Sequence, residues 1–338
     1  MRSRFPRTLA RLVLLLALAS ANLAAAERSK VTVTSSIDGS RQPCYLVLPS
    51  SYLKQPAPVP LLVSLHTWSG GVEQRNAAME AEAERLGWIY LFPHFRGANQ
   101  HPDACGSRIA QQDILDSVDW ACREYQVDKR RIYLTGVSGG GHMTMLMVGR
   151  HPDRWAAASA WVGISDLSSW YRRHQDDNYG KMLRLCCGGA AGASPAIDRQ
   201  YHQRSPLSWL SRSLPVPLDI AAGVHDGHKG SVPVRHSLEA FNMIARAAGE
   251  QEISEQEMRE IGAADGRLKN PSRSDQVSDP SLGREIYLRR HAGRSRVTIF
   301  EGGHEGIARA ATAWLSQFHK PENDKSPRPS SPEKKQGG

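Results

Sequence analysis

Residues 131–142 read Arg-Ile-Tyr-Leu-Thr-Gly-Val-Ser-Gly-Gly-Gly-His. Ile132, Tyr133 and Leu134 run as an apolar strand into Gly136-Val137-Ser138-Gly139-Gly140, and Met143, Met145, Leu146 and Met147 continue at once with helical spacing. A strand that becomes a helix within so few residues needs glycine on both sides of the turn, where a Cβ would strike the crossing backbone. Such a turn lifts the Ser138 hydroxyl above the end of the sheet. It also aims the next backbone N–H, that of Gly139, at an oxygen that gains charge. Gly-x-Ser-x-Gly by itself is common; placed between a strand and a helix it predicts an activated serine nucleophile.

The rest of the chain supplies the sheet that such a turn needs. Residues 30–34 and 41–48 alternate as two antiparallel strands, and a turn rich in proline (Pro56, Pro58, Pro60) leads into the apolar run Leu61 to Leu65. Helical periodicity over 72–86 precedes a short apolar strand at 88–93, and a helix over 109–125 carries Ile114, Leu115, Val118 and Ala121 on one face. The helix after Ser138 ends at Arg150, before His151-Pro152. Buried strands over 155–164 and 216–222, a helix over 235–248, a last strand at 297–300 and a last helix over 306–318 complete the pattern. This alternation predicts an α/β fold: a mostly parallel, doubly wound sheet with helices on both faces.

Two segments break the rhythm. Residues 165–214 form a cap-like excursion carrying Trp170, Tyr171, Tyr179 and Trp209. Because it follows a strand's carboxyl end, it is expected to wall the substrate, with Trp170 and Tyr171 in contact with it. Residues 249–290 are polar and charged and read as a surface insertion, with 284–290 an edge strand.

Residues 1–26 read as a signal peptide. Arg2, Arg4, Arg7 and Arg11 precede the apolar run Leu12 to Ala19, and Ala24-Ala25-Ala26 offers a cleavage site. The run is too short to span a bilayer, so a secreted or periplasmic protein without stable membrane insertion is expected. The catalytic domain would cover 27–318, and 319–338, lacking apolar periodicity, would form a disordered tail. Without the leader's four arginines the formal charge of +9 becomes +5, spread along the chain rather than clustered. That distribution argues against a nucleic-acid surface. The odd cysteine count (Cys44, Cys105, Cys122, Cys186, Cys187) leaves at least one thiol over, with a disulfide from Cys105 to the 186–187 pair favoured in an oxidising compartment.

A serine hydroxyl needs a base, and the base an orienting acid. After Ser138, acids stand at strand ends at Asp166 and at Asp226, in Gly223-Val224-His225-Asp226-Gly227. Asp226 is preferred because it follows the second-to-last parallel strand; Asp166 also suits a helix N-cap. The base is expected at His304, in the glycine-flanked loop Gly302-Gly303-His304-Glu305-Gly306 before the last helix. The second oxyanion donor belongs to the loop after the first buried strand, His66-Thr67-Trp68-Ser69-Gly70, where the Trp68 N–H would pair with that of Gly139. The Trp68 ring would also wall the acyl pocket, unless it is a core tryptophan. His225 and His228 bracket Asp226 at His-x-x-His spacing, but no further ligands accompany them. No metal and no cofactor are expected.

These motifs together resemble the prolyl oligopeptidase-type branch of the α/β-hydrolase fold over roughly residues 40–318. The resemblance rests on the elbow around Ser138, the acid loop 223–232, the histidine loop, and Arg204-Ser205-Pro206 before the acid strand. The chain is similar also to secreted polyhydroxybutyrate depolymerase-like and feruloyl esterase-like hydrolases. Thr67 stands where the usual pattern has glycine, which leaves the identity of the second oxyanion donor open. The resemblance implies a serine hydrolase acting on a small-molecule or polymer ester. The few strands between Glu27 and the first buried strand leave no room for the β-propeller of gated oligopeptidases, which favours an esterase over an aminopeptidase or dipeptidyl peptidase. A peptidase would need an acid to grip a substrate amine, and Asp176-Asp177 are the candidates. A non-catalytic polymer-binding module is the third reading, disfavoured by the complete set Ser138, Asp226 and His304.

Overall fold

The structure, a computed structural model, describes residues 27–322; the expected leader and residues 323–338 lie outside the described residues. Nine strands form one sheet in the order β1-β2-β4-β3-β5-β6-β7-β9-β8. They are β1 (Arg28–Thr34), β2 (Arg41–Val47), β3 (Val59–Leu65), β4 (Ile89–Pro93), β5 (Val127–Val137), β6 (Ala157–Trp161), β7 (Leu218–Gly223), β8 (Ile286–Ala292) and β9 (Ser295–Phe300). The six central strands pair in parallel, while β1, β2 and β8 pair antiparallel at the two edges. Central strands covered on both faces read as continuous apolar runs, and Leu61, Leu62, Val63, Leu134, Ala157, Ala158 and Leu218 are wholly buried.

The helices are α1 (Ser50–Lys54), α2 (Ala77–Leu86), α3 (Arg108–Glu124), α4 (Gly139–Arg150), α5 (Leu167–His174), α6 (Asn178–Cys187), α7 (Pro195–Arg204), α8 (Arg235–Ala248), α9 (Glu255–Ile261) and α10 (Ala308–Leu315). This is the α/β-hydrolase arrangement. Two helices begin later than their periodicity suggests. Asn76 caps α2, accepting from the Met79 N–H at 3.2 Å, and so fixes its start at Ala77 rather than at residue 72. Gly306 and Ile307 belong to the loop that carries His304, which delays α10 to Ala308.

The excursion after β6 is a three-helix layer with its own apolar core of Leu167, Trp170, Tyr171, Met182, Leu183 and Tyr201, closed onto Trp68 and Val232. Each of its helices is capped by the residue before it. Asp166 accepts from Ser168 N–H at 2.8 Å, Asp177 from Tyr179 N–H at 2.8 Å, and Ser194 from Ile197 N–H at 3.3 Å. The Arg204-Ser205-Pro206 stretch closes its base. The buried Arg204 guanidinium donates to the carbonyls of Pro102, Ala104 and Cys105 at 2.9, 2.8 and 3.3 Å.

Two expectations are corrected. All five cysteines are free thiols, so the expected bridge from Cys105 to the 186–187 pair is absent. Burial instead pushes the Cys105 thiol well above its ordinary range. The packed chain also continues past residue 318, because Lys320 donates its N–H to the Arg130 carbonyl at 3.0 Å and accepts from the Arg130 side chain at 2.9 Å. No helix among the described residues is long and apolar enough to cross a membrane.

Candidate active site

Ser138 stands between β5 and α4 with φ 61° and ψ −116°. For a residue with a Cβ this left-handed conformation costs on the order of 1–3 kcal/mol, and it persists only where neighbours hold it. The Ser138 N–H donates to the Trp161 carbonyl at 2.8 Å, which ties the turn to β6. Two glycines make the turn possible. A Cβ on Gly136 would collide with the backbone of Gly140, and one on Gly139 would collide with the Trp68 amide nitrogen. Gly139 therefore lets the turn pack closely against the Trp68 backbone. The Thr67 N–H and hydroxyl are both taken by Gln74 Oε1, at 2.9 and 3.1 Å.

Asp226 follows β7 and is 1% exposed. Its Oδ1 accepts the N–H groups of Gly227 and Val232 at 2.9 and 3.1 Å, and its Oδ2 accepts His304 Nδ1–H at 2.8 Å. The loop 226–232 wraps so closely that a Cβ on Gly230 would collide with the Asp226 carboxylate. His304, after β9, keeps about a quarter of its side chain exposed. Its loop returns to the serine turn, for a Cβ on Gly306 would press on the Val137 side chain. A serine on a strained turn and an imidazole held by a buried carboxylate on a neighbouring loop are groups that acyl transfer uses.

The other predicted residues lie elsewhere. Asp166 is spent on capping α5. Trp68, Trp170 and Tyr171 are 2%, 1% and 7% exposed, so their rings form a core behind the site rather than an open wall. Trp68 packs edge-on against Trp170 at 4.6 Å and His142 at 5.7 Å between ring centres. His225 Nε2 bonds Glu301 at 2.8 Å, and His228 Nε2 bonds the Gly262 carbonyl at 3.0 Å. Asp177, the candidate amine grip, is already engaged by His174 at 2.6 Å and by the N-terminus of α6. Sequence reasoning missed Gly230 and His174. The available signal for His174 was its spacing from Trp170, four residues along one helix face.

A sequence model of the prolyl oligopeptidase family matches residues 79–258, just over half of the chain. Among curated proteins, feruloyl esterase B of Talaromyces stipitatus is 27% identical over 259 residues, covering 72% of this chain and 64% of the relative. Acetylxylan esterase A of Emericella nidulans is 23% identical over 172 residues, covering 47% of this chain and 53% of the relative. The chain thus spans somewhat under two thirds of the length of these relatives. The uncomplexed acylaminoacyl peptidase of Pyrococcus horikoshii superposes with a TM-score of 0.57 at 18% identity, over 88% of this chain and 41% of that one.

Proposed function

Because the chain belongs to the prolyl oligopeptidase family and is a serine hydrolase, we propose that it hydrolyses carboxylic esters through Ser138, His304 and Asp226. Ser138 Oγ attacks the ester carbonyl carbon while His304 takes its proton. The carbonyl oxygen becomes an oxyanion between the Trp68 and Gly139 N–H groups. The tetrahedral intermediate then expels the alcohol, which receives the proton from His304, and leaves Ser138 acylated. Water, deprotonated by His304, releases the acid and restores the serine. The observation that carries this reading is the 2.8 Å bond from His304 to the buried Asp226, in a loop that packs against the turn bearing Ser138.

The esterase names of relatives that cover up to 72% of the chain support an ester, and make feruloyl and acetyl esters of polysaccharides the first substrates to try. The engagement of Asp177 by His174 and α6 counts against an amine grip there. A peptidase is the second reading, supported by the family itself and by an acylamino-acid-releasing enzyme of Oryza sativa, 25% identical over 240 residues. The arginines and apolar run of residues 1–26 support export.

A fluorophosphonate probe should label Ser138, and the protein should turn over p-nitrophenyl acetate and methyl ferulate but not an aminoacyl anilide. Ser138→Ala should lower kcat on the order of 10³-fold or more. Retention of activity within about tenfold would refute the assignment, and anilide turnover would favour the peptidase.

A further inference from the structure

We propose that helix α5 of the excursion is a positioning element for Asp226, and that His174, through its bond to the Ser231 carbonyl, is the residue that makes it so. The inference rests on the triad reading above. The loop 226–232 is gripped from two sides. On its inner side it surrounds Asp226, which Gly230 crowds and Val232 N–H donates to. On its outer side the Ser231 carbonyl accepts two bonds from α5, Trp170 Nε1–H at 2.9 Å and His174 Nε2–H at 2.8 Å, and the Gly227 carbonyl accepts from Arg173. Ser231 sits between the two residues that fit themselves to the carboxylate, so a shift of its carbonyl is a shift of Asp226 and, through it, of His304.

Hydrogen bonds engage both ring nitrogens of His174. Its Nε2 faces a carbonyl, which only accepts. Its Nδ1 faces Asp177 Oδ2 at 2.6 Å, while Asp177 Oδ1 takes the N–H groups of Tyr179 and Gly180 at 2.8 and 3.3 Å. Partial burial works against a charge on Asp177, but these bonds prevail and hold its carboxyl below the ordinary range, so it too only accepts. The ring thus lies between two acceptors, the Ser231 carbonyl at Nε2 and the Asp177 carboxylate at Nδ1. His174 is 9% exposed, with its ring packed 5.0 Å from Trp170 and 5.2 Å from Tyr179. A His–Asp pair, His174 with Asp177, thus stands behind the pair His304 with Asp226.

Two substitutions separate the two ends of the ring. In His174→Gln the amide nitrogen falls near the former Nε2 and can still donate to Ser231. In His174→Asn it falls near Nδ1, keeps Asp177 and abandons Ser231. With an ester substrate, His174→Asn should lower kcat roughly tenfold with KM within about twofold, short of the ~10²-fold cost of an ångström's misplacement. His174→Gln should stay within roughly threefold of wild type. Equal kcat in the two variants, or an effect on KM alone, would overturn the proposal. If His174→Asn does not fold, Trp170→Phe removes the other donor to the same carbonyl, and an unchanged kcat there would overturn it as well. Imidazole ¹⁵N spectra of the wild type should show the His174 Nε2 protonated, and an unprotonated Nε2 would refute its stated role. Failure of wild-type Ser138 to react with the fluorophosphonate would instead sink the triad reading, while the spectra would still decide the state of His174.

Discussion

The two excursions, 165–214 and 249–290, leave the same sheet and differ in what they add to buried apolar contact. The first is fastened by burial. Its aromatic and aliphatic residues form a core with Trp68 and Val232, residues of the loops proposed to carry the oxyanion donor and the acid. The second joins the main core through Ile253, Met258, Ile261, Leu282 and Leu288 and adds a network of charge around it. Arg290 meets Glu257 at 2.9 Å, Arg289 meets Asp279 at 2.9 Å, and the buried Asp275 carboxylate takes the Arg289 N–H at 2.9 Å as well as the Arg290 guanidinium. It meets the acid loop through the exposed His228, bonded to the Gly262 carbonyl, and through Gly266, which lies against the buried Val224 side chain. Buried apolar contacts and directed bonds hold geometry with water excluded, whereas ion pairs at the edge of a sheet hold shape without shaping the chemistry. Damage to the first excursion should therefore reach catalysis, and damage to the second should stop at stability.

The largest expected effect sharpens the assignment on which this contrast rests. Asp226→Asn keeps the shape but turns an amide N–H₂ or a single acceptor toward His304 and its backbone donors. The kcat should fall by roughly 10³- to 10⁴-fold. Asp166→Asn should stay within about threefold, because asparagine caps a helix as well as aspartate does. Steady-state kinetics on one ester would decide, and the opposite ranking would move the acid to the first excursion.

Next comes the core of that excursion. Trp170→Ala removes a fully buried indole and one donor to Ser231, and should cost about 3–5 kcal/mol in urea unfolding together with most of the activity. Asp275→Asn leaves Arg290 without its buried partner and should cost roughly 3 kcal/mol, with kcat of the folded protein unchanged. Loss of activity in Asp275→Asn, or full activity in Trp170→Ala, would erase the distinction between the two regions.

The sequence shows these parts unequally. The turn at Ser138 is legible because four glycines in six residues, 136–141, have a steric cause that any strand-to-helix turn imposes. Asp226 and His304, which the structure brings together, are legible as polar residues at strand ends, since such ends converge on one edge of a parallel sheet. The direction of Trp170 and Tyr171 is not legible. An aromatic residue in an insertion suits a ligand wall and a local core equally, and only the packing of α5 against α6 and α7 shows that these rings turn inward. The double duty of Asp177, helix cap and partner of His174, is likewise invisible to spacing, because the acceptor that completes it, the Ser231 carbonyl, lies far along the chain.

Acid should separate the two excursions at the smallest cost per group. Both ends of the first are pinned by buried histidines. His142 Nε2–H donates to the Arg204 carbonyl at 2.8 Å, and His236 Nδ1 faces the Ser165 hydroxyl at 3.3 Å. Burial pushes His142 down to about 4 and His236 to about 3 from the ordinary value of 6.5. Each is neutral when folded but takes a proton when unfolded below about 6.5. Their contribution is therefore complete above that pH and falls as pH drops toward 4, by about 1.4 kcal/mol per histidine per pH unit. In the second excursion Glu257 and Asp279 are partly buried, yet their hydrogen bonds and arginine partners hold them below the ordinary carboxylate range. Their contribution persists until the pH falls below about 4. Hydrogen exchange, corrected for its intrinsic pH dependence, should show α5 and α7 losing protection between pH 6.5 and 5 while α9 keeps its own. If α9 opened first, its ion pairs would be the weaker fastening against acid, and the contrast between the two excursions would have to be reversed.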